Sequence, residues 1–423
     1  MGAQWMRLGA SGMLAASLIA WEPAFAQAAA HPATDGPLGA TVDGLRAAGQ
    51  QLSPALRAAA LDTAATAARA EGADALDDPT ITDSYQYYKD PGVFSAHTVT
   101  VSQAFPLWGK RDLRKTAALA DLDEARGQER AAADALDEQI KVAFVQYYLT
   151  GRELAVNREI GDLDRRMRAA AAARYGQGGG DQTAVIQAQA EETAVRTETV
   201  RLQGEMDAAR ARLNALVGRG GDAPLAEPRK LRPLPAVEPA LAALVERATA
   251  SNPTLVANDA AVSAARSRRT LADKAWYPDI TVGAGPLIQT NNRPVGFAAT
   301  VGLNIPIAWG REESGQHEAA ARLGAAQQKY EAAAREIEGA LGEALAKLRA
   351  ARATETLLHD EAMPEARATF ETVLANYSQG KGELTAAIAA EHQMHDVDLR
   401  QLQTQLDEQM ALASIERLIG GDL

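Results

Sequence analysis

The residues best suited to chemistry lie close together near the end of the chain, in the segment EHQMHDVD at 391–398. On a helix, His392 and His395 stand at i and i+3 and share a face, with Glu391, Met394 and Asp396 beside them. Imidazole and carboxylate at that spacing could hold a soft or borderline cation. The same residues also make a solvated or interhelical polar face, which is the reading favoured here. No metal site is assigned, and His392 and His395 are the only residues in contention. Nothing else has the form of a catalytic constellation. The chain has six histidines and no cysteine, which excludes thiol nucleophiles, disulfides and thiolate metal sites. The expectation is a protein that is not an enzyme and carries no cofactor.

Opposite charges recur at two Gly-rich turns, Arg174 and Asp181 in RYGQGGGD (174–181), Lys381 and Glu383 in NYSQGKGE (376–383). They could pair with one another. Equally, they could be exposed capping charges, since Asp181 and Glu383 sit where the N-terminal end of a helix favours an acid.

These turns belong to a duplication with a period near 200 residues. LSPAL at 52–56 is answered by SNPTL at 251–255, and AFPLWGKR at 104–111 by NIPIAWGR at 304–311. Pro79 and Pro278 keep the same spacing behind Pro54 and Pro253. The period is far too long for a solenoid, so the unit is domain-sized. Each copy opens with a helix, at about 42–70 and about 238–274. Two strands follow, at about 81–105 and about 279–306, in which residues such as Val99, Val101, Val301 and Leu303 alternate with polar or small ones. Long proline-free stretches come next, from 110 to 174 and from 312 to 363. About 65 helical residues make a rod of roughly 100 Å, and Pro364 is read as a kink or local unwinding rather than an end. After each Gly-rich turn a shorter helix returns, at about 182–217 and 384–418. Leu202, Met206, Ala209, Leu213 and Leu216 form a coiled-coil seam, with Leu402 and Leu406 as its echo 200 residues on. Each return helix is about half the length of its partner, so it and an opening helix should lie end to end along one rod. The fold class is therefore mainly α with β, a duplicated helix–strand–strand–long-helix–helix unit. Its expected boundaries are 27–218 (hairpin about 110–218, tip 175–181), a linker at 219–238, and 239–423 (hairpin about 311–419, tip 377–383).

Residues 1–26 read as an export signal, with Arg7, an apolar stretch and the small-x-small site Ala24-Phe25-Ala26. No other run reaches the roughly 18 apolar residues of a spanning helix, so a membrane crossing would have to use strands. Four strands cannot close a barrel, for which about eight is the smallest number; several copies pooling strands would. Trp108, Trp276 and Trp309 all fall at strand–helix junctions, where a membrane interface would suit indole. The formal net charge of −12 argues against nucleic acid.

With its duplication, strand pairs, QAFPLWGKR junction, Gly-rich turns and half-ends ARLNALVGR (211–219) and ASIERLIG (413–420), the chain resembles the outer membrane factor family, the TolC-like efflux and secretion ducts of Gram-negative bacteria. The GKR wording is most similar to the heavy-metal branch, the CzcC- and CusC-like proteins. The resemblance implies a homotrimer with a twelve-stranded outer-membrane β-barrel, surrounded by outer membrane lipid and continued by a long periplasmic α-helical barrel. It implies a periplasmic adaptor protein and an inner-membrane pump of the RND type as partners. The tips would be the adaptor contact and gate: Arg174, Tyr175, Gly178, Asp181, Tyr377, Gly380, Lys381 and Glu383. Of these, Tyr175, Gly178, Tyr377 and Gly380 match the family's aromatic-x-x-Gly pattern, and the tip charges could latch the closed tube between protomers. The acidic lumen ring of some members does not match: residues 385–390 are neutral and the first acid is Glu391. The implied function is a passive exit duct, with heavy-metal cations as one cargo and drugs or secreted polypeptides as others. The competing reading is a periplasmic adaptor, which would carry one hairpin rather than two each preceded by strands.

Overall fold

A computed structural model of the protein describes residues 38–87, 95–178, 181–228, 230–235, 237–289, 294–307 and 310–423. The expected export signal, the first strand–strand turn and Trp309 lie outside them.

Where one opening helix is expected in each half, there are two. α1 (Val42–Leu52) and α2 (Pro54–Gly72) are separated by Ser53, and α3 and α4, the long outgoing and the returning helices of this half, span Lys110–Gly176 and Gln182–Leu216. In the second half α5 (Leu241–Ser251) and α6 (Pro253–Asp273) are separated by Asn252. The cause is local. A residue before proline is pushed out of the helical region, and Ser53 (φ −61°, ψ 122°) and Asn252 (φ −64°, ψ 121°) take the same extended conformation. Proline then opens the next helix, where its missing N–H costs nothing.

The second outgoing rod is α7 (Arg311–Leu357) and α8 (Met363–Ser378), joined by a π-turn over Leu358–Ala362. The wider turn precedes Pro364 and absorbs the carbonyl clash that a proline imposes one turn back, so the rod is interrupted without ending. α9 (Leu384–Ile419) returns from it.

Side by side, the helices make four rods in the order α2 with α4, then α3, then α6 with α9, then α7 with α8. The shorter helices do lie end to end, and each joint is built alike. α4 closes in a Schellman motif, with Arg219 N–H bonded to Asn214 O at 2.8 Å; α9 repeats it with Gly421 N–H and Glu416 O at 3.0 Å. The left-handed residues are Gly218 (φ 73°) and Gly420 (φ 70°). Each is pressed onto the Pro break of an opening helix: a β-carbon would stand 2.7 Å from Leu52 O at Gly218 and 2.6 Å from Ser251 O at Gly420.

Two matching apolar cores flank these joints. One gathers Leu45, Leu136, Ile140, Phe144, Leu213 and Val217; the other gathers Leu244, Leu341, Leu345, Leu348, Ile415 and Ile419. The stripe of Leu202 and Leu213 is buried as its spacing requires. Its echo is displaced: the joints repeat at 202 residues, not 200, so Thr404 and Ile415 are buried while Leu402 and Leu406 are half-exposed. Between the cores, buried Lys141 donates to Asp137 (2.7 Å), Glu416 (2.8 Å) and Asp422 (2.7 Å), and Arg232 donates to both oxygens of Glu416. Burial opposes the ammonium charge, but these acceptors outweigh it and raise the Lys141 pKa.

The strands β1 (Thr80–Gln86), β2 (Ala96–Phe105), β3 (Asp279–Gln289) and β4 (Gly296–Asn304) form one antiparallel sheet in that order. β2 and β3 join the two halves, with Phe105 opposite Ile280 and His97 opposite Ile288.

Gly218→Ala and Gly420→Ala should each destabilise the protein by roughly 1–3 kcal/mol, from left-handed strain and the carbonyl contact. Gly204→Ala, in a helix with open space around it, should stabilise by up to about 1 kcal/mol. Thermal melting followed by circular dichroism separates the two; equal effects would contradict the joint.

Candidate functional site

The sheet sorts its side chains by face. Period-two alternation and the register place Ile81 beside Val101, Phe105 beside Ile280, and Val282 beside Val301. That face is mostly apolar, with Asp83, His97 and Gln103 as its polar members, and it is open: Val301 is 78 % exposed and Phe297 75 %. The other face carries Thr82, Ser84, Thr98, Thr100, Ser102, Thr281 and Thr300. A water-soluble sheet hides its apolar face against helices; here the large aliphatic groups point outward and the hydroxyls share the opposite face, the polarity of a membrane barrel wall.

At the sheet's helical end, Trp108 takes a left-handed conformation (φ 63°) and Gly109 follows at φ 73°. Such a backbone is costly for a bulky residue, and several bonds hold it. The Trp108 indole N–H donates to Pro278 O at 2.8 Å, Lys274 donates to Trp108 O at 2.7 Å, and the ring lies 5.3 Å from that of Tyr277. Buried Lys110 donates to Tyr277 O (2.8 Å) and to both Asp279 oxygens (2.9 Å). Trp108 and Trp276 are half-exposed on this rim. The Lys110–Asp279 clamp was not foreseen; its signal was the charge pair inside GKR and WYPD.

At the far end, Gly178 and Gly380 turn the rods back with φ 75° and 78°. The expected charges do not pair with each other within the chain. Arg174 instead lies over the Tyr377 ring, 5.0 Å from its centroid, and donates to Tyr377 O at 3.2 Å, tying the first tip to the second. Asp181 caps α4, accepting from Thr183 N at 3.1 Å, and this bond lowers its pKa. Glu383 holds the equivalent place before α9, where its carboxylate accepts from Thr385 Oγ1 rather than from the backbone. Lys381 makes no ion pair among the described residues. The two tyrosines differ: Tyr377 is buried with Met167, Ala171, Leu384 and Ile388, whereas Tyr175 is half-exposed.

The histidines do not converge on a cation. His392 is exposed and reaches Glu191 at 3.3 Å; His395 is half-buried, which lowers its pKa. Among the described residues no three histidine, aspartate or glutamate groups form a metal-ligand set. Glu391, which follows the neutral stretch at 385–390, is buried at 1 % exposure.

Against this geometry, a profile described as "Outer membrane efflux protein" matches the chain twice, over residues 47–219 and again over 244–421. The chain belongs to the outer membrane efflux protein family. Family members are channels rather than enzymes, and the double match gives each half its own copy of the unit. Solved structures share the fold. A crystal structure of CusC, reported for its transmembrane channel formation, superposes with a TM-score of 0.78 at 17 % identity over 90 % of this chain and 92 % of that one. The outer-membrane channel OprN gives 0.79 at 16 % identity, covering 90 % of each. VceC, an outer membrane protein of Vibrio cholerae, gives 0.77 at 20 %, covering 90 % of this chain and 96 % of that one. No curated protein matches the sequence.

Asp279→Asn removes the charge that holds a nearly buried ammonium and should cost roughly 2–4 kcal/mol. Asp123→Asn, which removes the exposed partner of Arg126, should cost less than about 1 kcal/mol. Chemical denaturation of both variants checks the contrast.

Proposed function

We propose that this efflux-family protein is the outer-membrane exit duct of a tripartite efflux system, working as a homotrimer. The observation that carries the reading is the four-stranded sheet: one face mostly apolar and open, the other rich in hydroxyls, and too few strands to close. β1 and β4 are its two edges, and a lipid-exposed edge leaves backbone groups unsatisfied. Pairing β4 of one copy with β1 of the next removes every edge and gives twelve strands from three copies. The rods below would then continue the wall as a helical tunnel into the periplasm. Trp108, Trp276 and Trp309 would sit at the inner rim of the lipid, and residues 1–26 would be removed on export. The duplicated units would be 27–218 and 239–423, joined by 219–238.

The tips, with Arg174, Tyr175, Gly178, Asp181, Tyr377, Gly380, Lys381 and Glu383, would meet a periplasmic adaptor and an inner-membrane pump of the RND type. They would also form the resting closure. Arg174 on Tyr377 supplies one tie within a protomer; exposed Tyr175 and unpaired Lys381 are free to supply ties between protomers. Heavy-metal cations are the cargo that the wording of the GKR junction favours. The duct itself carries out no reaction: pump and adaptor supply energy and selection, and the wall supplies shape and charge.

Two substitutions on neighbouring β4 residues test the reading. Val301→Arg places a charge against lipid and should cost about 2–4 kcal/mol near mid-membrane, seen as lost heat-modifiable migration of the outer-membrane fraction. Thr300→Arg, facing the bore, should leave assembly intact and change single-channel conductance in planar bilayers. A protein that stays monomeric, or is soluble without detergent, would favour the adaptor reading instead.

A further inference from the structure

Where the two hairpins meet near the tips, α3 packs on α9, and the contact buries two acids. Asp164 of α3 is 2 % exposed and Glu391 of α9 is 1 % exposed. Both Asp164 oxygens and Glu391 Oε1 are buried without a hydrogen-bond partner. Unpartnered buried carboxylates are costly when charged, and nearby cations do not relieve them. Glu391 feels Asp164 and, from α4, Glu191; Asp164 feels Glu191 and Glu192 of α4, with His392 of α9 as the one group that helps its charge. The guanidinium within reach, Arg168, is engaged by Glu192 at 2.7 Å, and His392 faces Glu191. No charged group of α5, α7 or α8, which also pack on α9, is among those that shift either acid.

The halves differ at this point. Counting back by the 202 residues that separate Gly218 from Gly420, Glu391 corresponds to Gln189 and Ala366 to Asp164. One half pairs two acids; the equivalent positions carry an amide on α4 and a methyl on α8.

We infer that Asp164 and Glu391 form a proton-operated catch between the two hairpins, closed while the pair retains a proton and loosened when both carboxylates ionise. Burial, then Asp164, then Glu191 push the Glu391 carboxyl up to about 8; burial, then Glu191, push Asp164 up to about 6. Separated hairpins would wet both groups and return them toward ordinary carboxylate values. The packed seam therefore binds more protons than the separated one, and its stability falls as pH rises from ordinary carboxylate values, most steeply below the Asp164 value, where both groups hold extra protons, and levels off above the Glu391 value. Resting on the duct reading, three catches around a trimer would make tip opening sensitive to alkaline conditions.

The cysteine-free chain allows a direct test on the full-length protein in detergent. Gln177→Cys and Gln379→Cys put a spin label on each exposed tip, and pulsed electron resonance reads the distance between them from about pH 5 to about pH 9. The mean distance should lengthen and broaden as pH rises, with no further change well above the Glu391 value. Glu391→Gln, which gives the second half the residue of the first, should abolish the shift. Asp164→Asn removes a repelling charge and one of the two extra protons, so it should shrink the shift and move what remains to higher pH. A distance independent of pH in the parent protein, or a shift unchanged by Glu391→Gln, overturns the catch. Bilayer conductance of the same samples is a separate readout: no current at any pH, with the label shift intact, defeats the duct and leaves the catch standing.

Discussion

The pairing of β2 with β3 is the interaction on which the remaining architecture hangs. Each strand pair is local, but this ladder joins residues some 180 positions apart, from Phe105 opposite Ile280 to Ala96 opposite Gln289. It places the start of α3 beside the end of α6, where Lys110 and Asp279 fix the angle at which the rods leave the sheet. From that point the order of the rods follows. α6 is short, so α9 must continue its line toward the tips; α2 is short, so α4 must continue on the other side. The same ladder consumes the inner strands and leaves β1 and β4 as edges. The sheet's unfinished state and the rods' arrangement thus share one cause.

Long single-layer rods have little interior, so charge is buried at few places and its handling differs from one to the next. At the waist, Lys141 meets three carboxylates, and Arg232 answers Glu416 again. There each of the carboxylates Asp137, Glu416 and Asp422 meets a cation, and the network ties α3, α9 and the connector into one block. At the tip seam, Asp164 and Glu391 have no such cation. A satisfied buried network rigidifies, and a partly satisfied one is a place where a structure yields. The waist is built to stay shut and the tip seam to respond.

Much of the anatomy was legible in the sequence because it is written in periodicity. Alternation in β2 and β4 marked strands with one apolar face, the absence of proline marked rods, and the Gly-rich turns marked reversals. The misses have physical reasons. Pro54 and Pro253 served as landmarks of the repeat, while their steric effect on Ser53 and Asn252 breaks each opening helix. The seam echo was set two residues early because the repeat is nearer 202 than 200 in the returning helices, and helical burial is sensitive to such a slip. The contact of Arg174 with the Tyr377 ring was not legible, because only the second hairpin brings that ring within reach.

The sequence by itself determined the duplication, the element types, the alternating sheet faces and the positions of the tips, since these depend on residues close along the chain. The tertiary structure decided which helices stack end to end, that Lys110 clamps Asp279, that Tyr377 is buried while Tyr175 is exposed, and that Glu391 faces Asp164. Each of these joins segments from different halves of the chain. Whether a charge is solvated, paired or stranded depends on what the opposite half presents to it, and periodicity along one segment carries no record of that.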